Sequence, residues 1–490
     1  MNLKALLAII ATMKLIYAIL SCALFAPLAL ADGLPELGDV SATVLSPLQE
    51  QTIANQIMRD VMSSGDVVSD VEITDYVQNL GYRLVANGPD RRQSFNFFVV
   101  QDNTINAFAL PGGIVGVHTG LILAANSESE MASVLAHEIG HVVQHHMARV
   151  LAQQKKDSII NMASIALAIL AARANPQLGS GAMAAASAAG VQKQLDYTRE
   201  HEREADRVGL QILDSAGFDT RAMPSFFSTL LKSSRFVDGA APSFLRTHPL
   251  TTERIADVKG RVENMPYRQV ADSIEFHYMR AKLRAAYGPT QNAINYFEDN
   301  LRERRFASEP AERYGLALAY MRKNDLDGAS KQLDWLRKNT PRHPYFETLA
   351  AKIEVARNHP EQAAKLYAAG LSMFPGHRAL IYGYAEHFLA TNQNDKALKL
   401  ISEKQPQYPE DPYLYELQSR AYTAMGKNLL RHQAQVEAYL RRYDLEKAIE
   451  QMDLAVKAGD GDFYQVSIVE ARLNQLKQQV IEPKKEGWFD

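Results

Sequence analysis

The chain has 490 residues, enough for two or three domains at roughly 100–200 residues each. Apolar residues make up 47% and the net charge is −3, which suits packed globular domains and excludes the basic excess usual in a nucleic-acid binder. The single cysteine, Cys22, falls in the N-terminal segment. The remainder can form no disulfide, and any metal must be held by His, Asp or Glu.

Residues 1–31 lack acidic residues and end in Ala29-Leu30-Ala31 before Asp32, the pattern of a cleaved secretory signal. Lys14 interrupts the apolar run, and a start at Met13 would give a basic beginning, an apolar middle and a small-residue end. The sequence around Cys22, Ile19-Leu20-Ser21, makes a poor lipidation site. Residues 32–93 read as mostly helical, with Val67, Val71, Ile73, Val77 and Leu80 at mixed helical spacing. Phe95 to Val100 is β-rich, and Asn106 to Val117 predicts two short strands around the Pro111-Gly112-Gly113 turn. Ser127-x-x-Glu130 is a capping box opening a helix expected to run to about Gln153. The apolar run 158–172 is short of the ~20 residues needed to span a bilayer. It reads as a buried helix, followed by a small-residue loop from Gly179 to Gly190, with membrane-surface contact as the alternative. A further helix is expected from about Gln192 to Ala216, closed by Gly217, and another over 252–264.

From about residue 275 the pattern changes. Ala293, Ala329, Ala363 and Ala397 recur at 36, 34 and 34 residues, and Pro341, Pro375 and Pro409 at 34 and 34. Ala281, Ala317, Ala351 and Ala385 stand twelve residues before each alanine, and Phe297, Leu333, Tyr367 and Ile401 four after. This spacing resembles tetratricopeptide repeats over about 275–410, pairs of helices with small residues where they cross. Ala448 with Met452 suggests one further, irregular unit. Such arrays bind peptides and proteins.

The chemistry is concentrated in His137-Glu138-Ile139-Gly140-His141. On a helix, positions i and i+4 share a face, so His137 and His141 can present ring nitrogens to one zinc ion. Glu138 can take a proton from a water that such an ion acidifies and pass it to the leaving amine. Val134, Leu135, Val142 and Val143 can pack around the motif, and His145 and His146 read as surface or second-layer residues. A third ligand is needed. Glu202, with Asp206 one turn on, offers it from a second helix, with Asp206 left to hydrogen-bond a ligand histidine or reacting groups. On spacing alone, Arg199 to Arg207 reads equally as a solvated charged face.

These residues, with N-A-F-A-L-P-G-G at 106–113, resemble the Ste24/HtpX-type gluzincin metallopeptidases. The resemblance implies one Zn2+ per chain on His137, His141 and Glu202, with Glu138 as general base and Asp206 as a second active-site carboxylate. It implies that 106–117 forms an exposed strand beside the metal, where substrate adds in extended form. It also implies a periplasmic protease that degrades misassembled outer-membrane β-barrel proteins and assists their assembly, with the repeats contacting clients or the barrel-assembly machinery. His248, in Arg246-Thr-His-Pro249, is either a fourth metal ligand that holds the enzyme latent or a donor to the tetrahedral oxyanion; otherwise it is a loop histidine far from the metal. Arg254 could assist with charge. The expected fold class is α+β and mostly helical: signal peptide at 1–31, a gluzincin metalloprotease domain with a small sheet at 32–268, and an α-solenoid of repeats at 269–490. Two alternatives remain: a repeat-based chaperone or scaffold with little proteolysis, and a quality-control protease anchored or peripherally attached to the membrane through 158–172.

Overall fold

The structure, a computed structural model, describes residues 47–90, 93–147, 149, 199–236 and 243–485. The signal-like segment 1–31 with Cys22, the apolar run 158–172 and the stretch from Gly179 to Gly190 lie outside the described residues. The described residues are mostly helical with one small sheet, as the sequence predicts.

Helices α1 (Pro47–Ser63) and α2 (Val71–Ala86) precede β1 (Asn96–Val100), β2 (Ala107–Leu110) and β3 (Ile114–His118). The Pro-Gly-Gly segment joins β2 and β3 as expected. The strand order is β1-β3-β2, with β3 parallel to β1 and antiparallel to β2. Central β3 is buried throughout, whereas edge strand β2 alternates buried and half-buried residues. Alternation along the strands divides the core. Phe98, Val100 and Ile114 pack on Ile57, Met58 and Val61 of α1, while Phe97, Val99, Val115 and Val117 join the larger core with α2.

After α3 (Thr119–Ala124) comes α4 (Glu128–Val143), which carries the His-Glu motif and is buried from Glu128 to Val142. Ser127 caps it by accepting the Glu130 N–H. The return bond of the capping box goes one residue further back: Glu130 Oε2 accepts the N–H of Asn126 at 2.8 Å. The helix does not run to Gln153. It ends at Val143, the Gln144 N–H bonds Gly140 O, and His145 turns to a left-handed φ of 49°. Hydrophobic spacing continues past Val143, but the backbone turns left-handed at His145, so periodicity alone does not mark the stop.

Helix α5 (Arg199–Ser215) crosses α4 at backbone contact. A Cβ on Gly140 would stand 2.9 Å from Ala205 O, and one on Gly209 would stand 3.1 Å from His137 N. Two glycines thus permit a crossing that side chains would hold apart. The end of α5 is closed as expected at Gly217, with Phe218 N–H on Leu213 O and Gly217 N–H on Asp214 O. Helices α6 (Ala222–Phe236), α7 (Ser243–Thr247) and α8 (Thr252–Glu263) complete this part.

The repeats follow as helix pairs: α9 (Ile274–Ala286) with α10 (Thr290–Glu303), α11 (Glu309–Lys323) with α12 (Leu326–Asn339), α13 (Pro344–Ala356) with α14 (Pro360–Met373), and α15 (Arg378–Ala390) with α16 (Asn394–Lys404). Then come α17 (Pro412–Ala424), α18 (Asn428–Leu440), α19 (Leu445–Val456) and α20 (Phe463–Lys485). All twelve alanine and large apolar positions of the register are buried, as are Ala448 and Met452. The turns between paired helices carry a second period. Asn324, Asn358, Asn392 and Gly426 recur at 34-residue intervals between the two helices of a pair, each with positive φ. Asn and Gly tolerate that conformation best. One continuous core runs from Val68 through Ile353, so the first repeats and the helices around the motif share their interior.

Candidate metal centre

Four buried side chains from three elements converge: His137 and His141 from α4, Glu202 from α5 and His248 from the turn after α7. One ligand atom from each lies within 4.8 Å of the others. His137 Nε2 and His141 Nε2 are 3.0 Å apart. Glu202 Oε2 is 3.5 Å from His137 Nε2, and Oε1 is 3.4 Å from His141 Nε2. The half of α5 that faces α4 carries His201, Glu202, Ala205, Asp206 and Gly209. Its charged residues are therefore not all a solvated face: Glu202 and Asp206 are interior.

The donor set fits a transition metal. Two imidazole nitrogens with one carboxylate are zinc ligands, whereas calcium and magnesium take oxygen cages. Glu138 is fully buried and neither of its oxygens makes a well-formed hydrogen bond, which leaves a carboxylate aimed into the cluster. Burial pushes its pKa up, and nearby His248 and His137 pull it back. Burial also works against a charge on His137, but Asp206 and Glu202 outweigh it and push that imidazole up to about 10. Burial drives His141 down to about 3. For Glu202, burial is overcome by His248 and His141, which hold the carboxyl well below its ordinary value.

Asp206 stands behind the cluster: its Oδ1 is 2.9 Å from His137 Nδ1, the nitrogen facing away from the other donors. Of the two roles its spacing left open, holding a ligand histidine is the one its position suits. Arg254, only 1% exposed, is more deeply built in than its sequence suggested. It donates through Nε and Nη2 to Asp206 at 2.7 and 2.8 Å, and its Nη1 is 2.7 Å from Glu202 Oε2 and donates to Pro249 O at 2.9 Å. One guanidinium thereby ties both carboxylates of α5 to the loop bearing His248. That planar, multidentate use is one a lysine could not fill.

His248 is not a distant loop residue. Its Nδ1 lies 3.0 Å from Glu202 Oε1 and 3.4 Å from His137 Nε2, and its Nε2 lies 3.5 Å from Glu138 Oε1. Phe244 stacks on its ring at 4.6 Å, and the Phe244 N–H bonds Ile105 O just before β2. His146, placed by its spacing in the surface or second layer, is fully buried against His141. The i+5 spacing gives no hint of that contact, because it follows from the left-handed turn at His145.

Residues 73–262 match the description of peptidase family M48, and residues 354–421 match a tetratricopeptide repeat. The chain is 31% identical to the beta-barrel assembly-enhancing protease of Escherichia coli K12, over 91% of this chain and 92% of that one. A Vibrio cholerae serotype O1 protein provisionally given the same name is 33% identical over the same shares. The mitochondrial metalloendopeptidase OMA1 of Schizosaccharomyces pombe is 30% identical over 45% of this chain and 62% of its own length. With a buried His-Glu donor cluster in its M48 segment and helical repeats behind it, the chain is a metalloendopeptidase and belongs to the beta-barrel assembly-enhancing protease family.

Proposed function

We propose that the protein is a periplasmic zinc endopeptidase that removes misassembled outer-membrane β-barrel proteins and assists the assembly of others. The observation that carries the catalytic part is the convergence of His137, His141 and Glu202 donors around the carboxylate of Glu138. The barrel-protein clients rest on the names of the relatives, and the repeats supply a surface for clients or for the assembly machinery. The signal-like residues 1–31 support export. A mature N-terminus at Asp32 in the periplasmic fraction would bear this out, and an uncleaved cytoplasmic chain would refute it.

His137, His141 and Glu202 would hold the ion, which supplies a Lewis acid for the scissile carbonyl and an acidified water. Glu138 takes the proton and returns it to the leaving amine, and burial raises its pKa above the ordinary carboxylate value. Asp206 keeps the His137 ring turned so that Nε2 faces the cluster. Edge strand β2 pairs with β3 on one side, and the Ala109 amide of β2 lies against Glu138. An extended client added to the outer side of β2 would lie along the site. Glu138→Gln should lower cleavage by about 10²–10⁴-fold while client binding survives. Unchanged cleavage would remove the protease reading and leave the repeat-based chaperone.

The contacts of His248 with Glu202 and His137 favour the reading of a fourth donor that holds the enzyme latent over that of an oxyanion donor. On this reading His248→Ala raises proteolysis of an unfolded client; a fall would restore the oxyanion role. No described helix is long and apolar enough to cross a membrane. Carbonate extraction distinguishes peripheral attachment through 158–172, released by carbonate, from a spanning anchor, which stays in the pellet.

A further inference from the structure

We propose that His146 is a positioning residue that fixes the tautomer of His141 through a hydrogen-bonded relay ending at Glu204, and so presents a lone pair to the metal. The inference rests on the zinc site proposed above. His141 turns Nε2 toward His137 and Glu202, and its other nitrogen, Nδ1, is 2.9 Å from His146 Nδ1. His146 Nε2 is 3.1 Å from Glu204 Oε2, and Arg149 Nη1 donates to the same oxygen at 2.9 Å. His146 is fully buried, with His201 stacked on it at 4.5 Å.

The proton order follows from what each atom can do. A carboxylate only accepts, so His146 Nε2 carries the hydrogen that Glu204 takes. With that proton on Nε2, the neutral ring has its lone pair on Nδ1. The Nδ1–Nδ1 contact then needs a hydrogen from His141, which places the His141 proton on Nδ1 and its lone pair on Nε2, facing the cluster. The reverse order, with His146 donating, would put a hydrogen on His141 Nε2 and close it to any metal. Asp206 Oδ1 stands 2.9 Å from Nδ1 of His137, in the place His146 takes at His141. The site therefore orients its two histidines differently, one by a carboxylate and one by a carboxylate acting through a second imidazole. The left-handed turn at His145 makes the second arrangement possible, because it brings His146 back over His141.

Zinc affinity of the full chain, read by competition with a chromophoric chelator, tests the relay. His146→Phe fills the space but accepts nothing, and should weaken zinc about 10–100-fold. His146→Asn sets Oδ1 near the lost Nδ1 and should stay within about threefold of wild type on the same scale. Equal affinities for wild type and His146→Phe, or equal losses in the Phe and Asn variants, would overturn the proposal. Glu204 is more exposed and decides the matter if His146→Phe fails to fold. Glu204→Gln keeps an acceptor and should bind as wild type does, while Glu204→Ala should bind several-fold more weakly. No loss in Glu204→Ala, or equal losses in both, refutes the relay and leaves at most a charge effect. His141→Ala is the reference: if wild type binds zinc no better than it does, the metal site itself fails, which is a different outcome from failure of the relay.

Discussion

At Glu202 an acid that would be costly to bury unpaired is surrounded by His137, His141, His248 and Arg254 at 2.7–3.5 Å. Against the effect of burial, His248, His141 and His137 hold its pKa low, and that charge makes it available to a cation. Asp206 carries the matching load on the far side of His137. Asp206→Asn should keep the packing but weaken zinc binding about 10–100-fold, measured with the same chelator competition. Removing metal should also destabilise the fold. At free zinc 100-fold above Kd, binding adds about 2.7 kcal/mol, so a chelator should lower Tm of the wild type and leave His137→Ala unmoved. An unshifted wild-type Tm would count against a bound ion. His137, Glu138 and His141 were legible because two histidines and a glutamate at helical spacing carry a specific chemistry. The two-carboxylate contact of Arg254 and the bond of His146 to His141 were not, since an arginine six residues past His248 and a histidine five past His141 have no spacing rule that links them to a metal.

At the scale of elements, the site depends on how closely α5 approaches α4. Gly140→Ala would place a Cβ 2.9 Å from Ala205 O, in a rigid backbone rather than against a flexible side-chain end. The expected cost is about 1–3 kcal/mol, visible as a lowered urea midpoint, with zinc binding weakened because Glu202 and Asp206 are pushed away together. A stability equal to wild type would mean that the helices can slide apart freely. The glycine was visible within the motif, but the helix it meets was not. The repeats were more legible. Their alanine and apolar register survives because each crossing in the solenoid demands a small residue and a large one at set positions, and the 34-residue asparagine turns carried the same period unread. The stop of α4 after Val143 was illegible for the opposite reason: it rests on one left-handed residue, His145, which is not among the usual stop residues.

At the scale of the molecule, the helices around the motif and the repeats are joined by buried charge. Lys282 of α9 pairs with Glu72 of α2 and, at 2.7 Å, with Asp70. His377, at the start of α15, reaches Glu72 at 3.0 Å. Arg378 pairs with Asp75 and, at 3.2 Å, with Asp411. On a second side, Ser273 at the start of α9 donates to Glu128 at the start of α4 through Oγ at 2.6 Å and N–H at 3.0 Å. Burial opposes the Glu72 charge, but Lys282 and then His377 overcome it and hold the carboxyl well below its usual range. Burial likewise works against Lys282, and Glu72 with Asp70 raises it. A depressed acid stabilises above its unfolded pKa of about 4.3 and loses that stabilisation as pH falls toward the folded value; the raised lysine keeps its share until pH climbs past about 10.4. Acidification from pH 6 to 3 should therefore lower Tm more steeply in wild type than in Glu72→Gln, and parallel curves would refute the coupling. Glu72→Ala, which strands a buried lysine, should cost about 3 kcal/mol, the low end for a broken buried pair because Asp70 remains.

The sequence by itself determined the helical character, the repeat period, the His-Glu motif and the candidate carboxylate on a second helix, because each is a local pattern tied to helix geometry or to ligand chemistry. Only the tertiary structure decided which charges are interior, that Arg254 spans both carboxylates, that His146 returns over His141 and that His248 stands among the donors. Those facts depend on a left-handed turn at His145, a glycine crossing and contacts between residues 46 to 111 positions apart, distances over which side-chain spacing along the chain carries no geometric information.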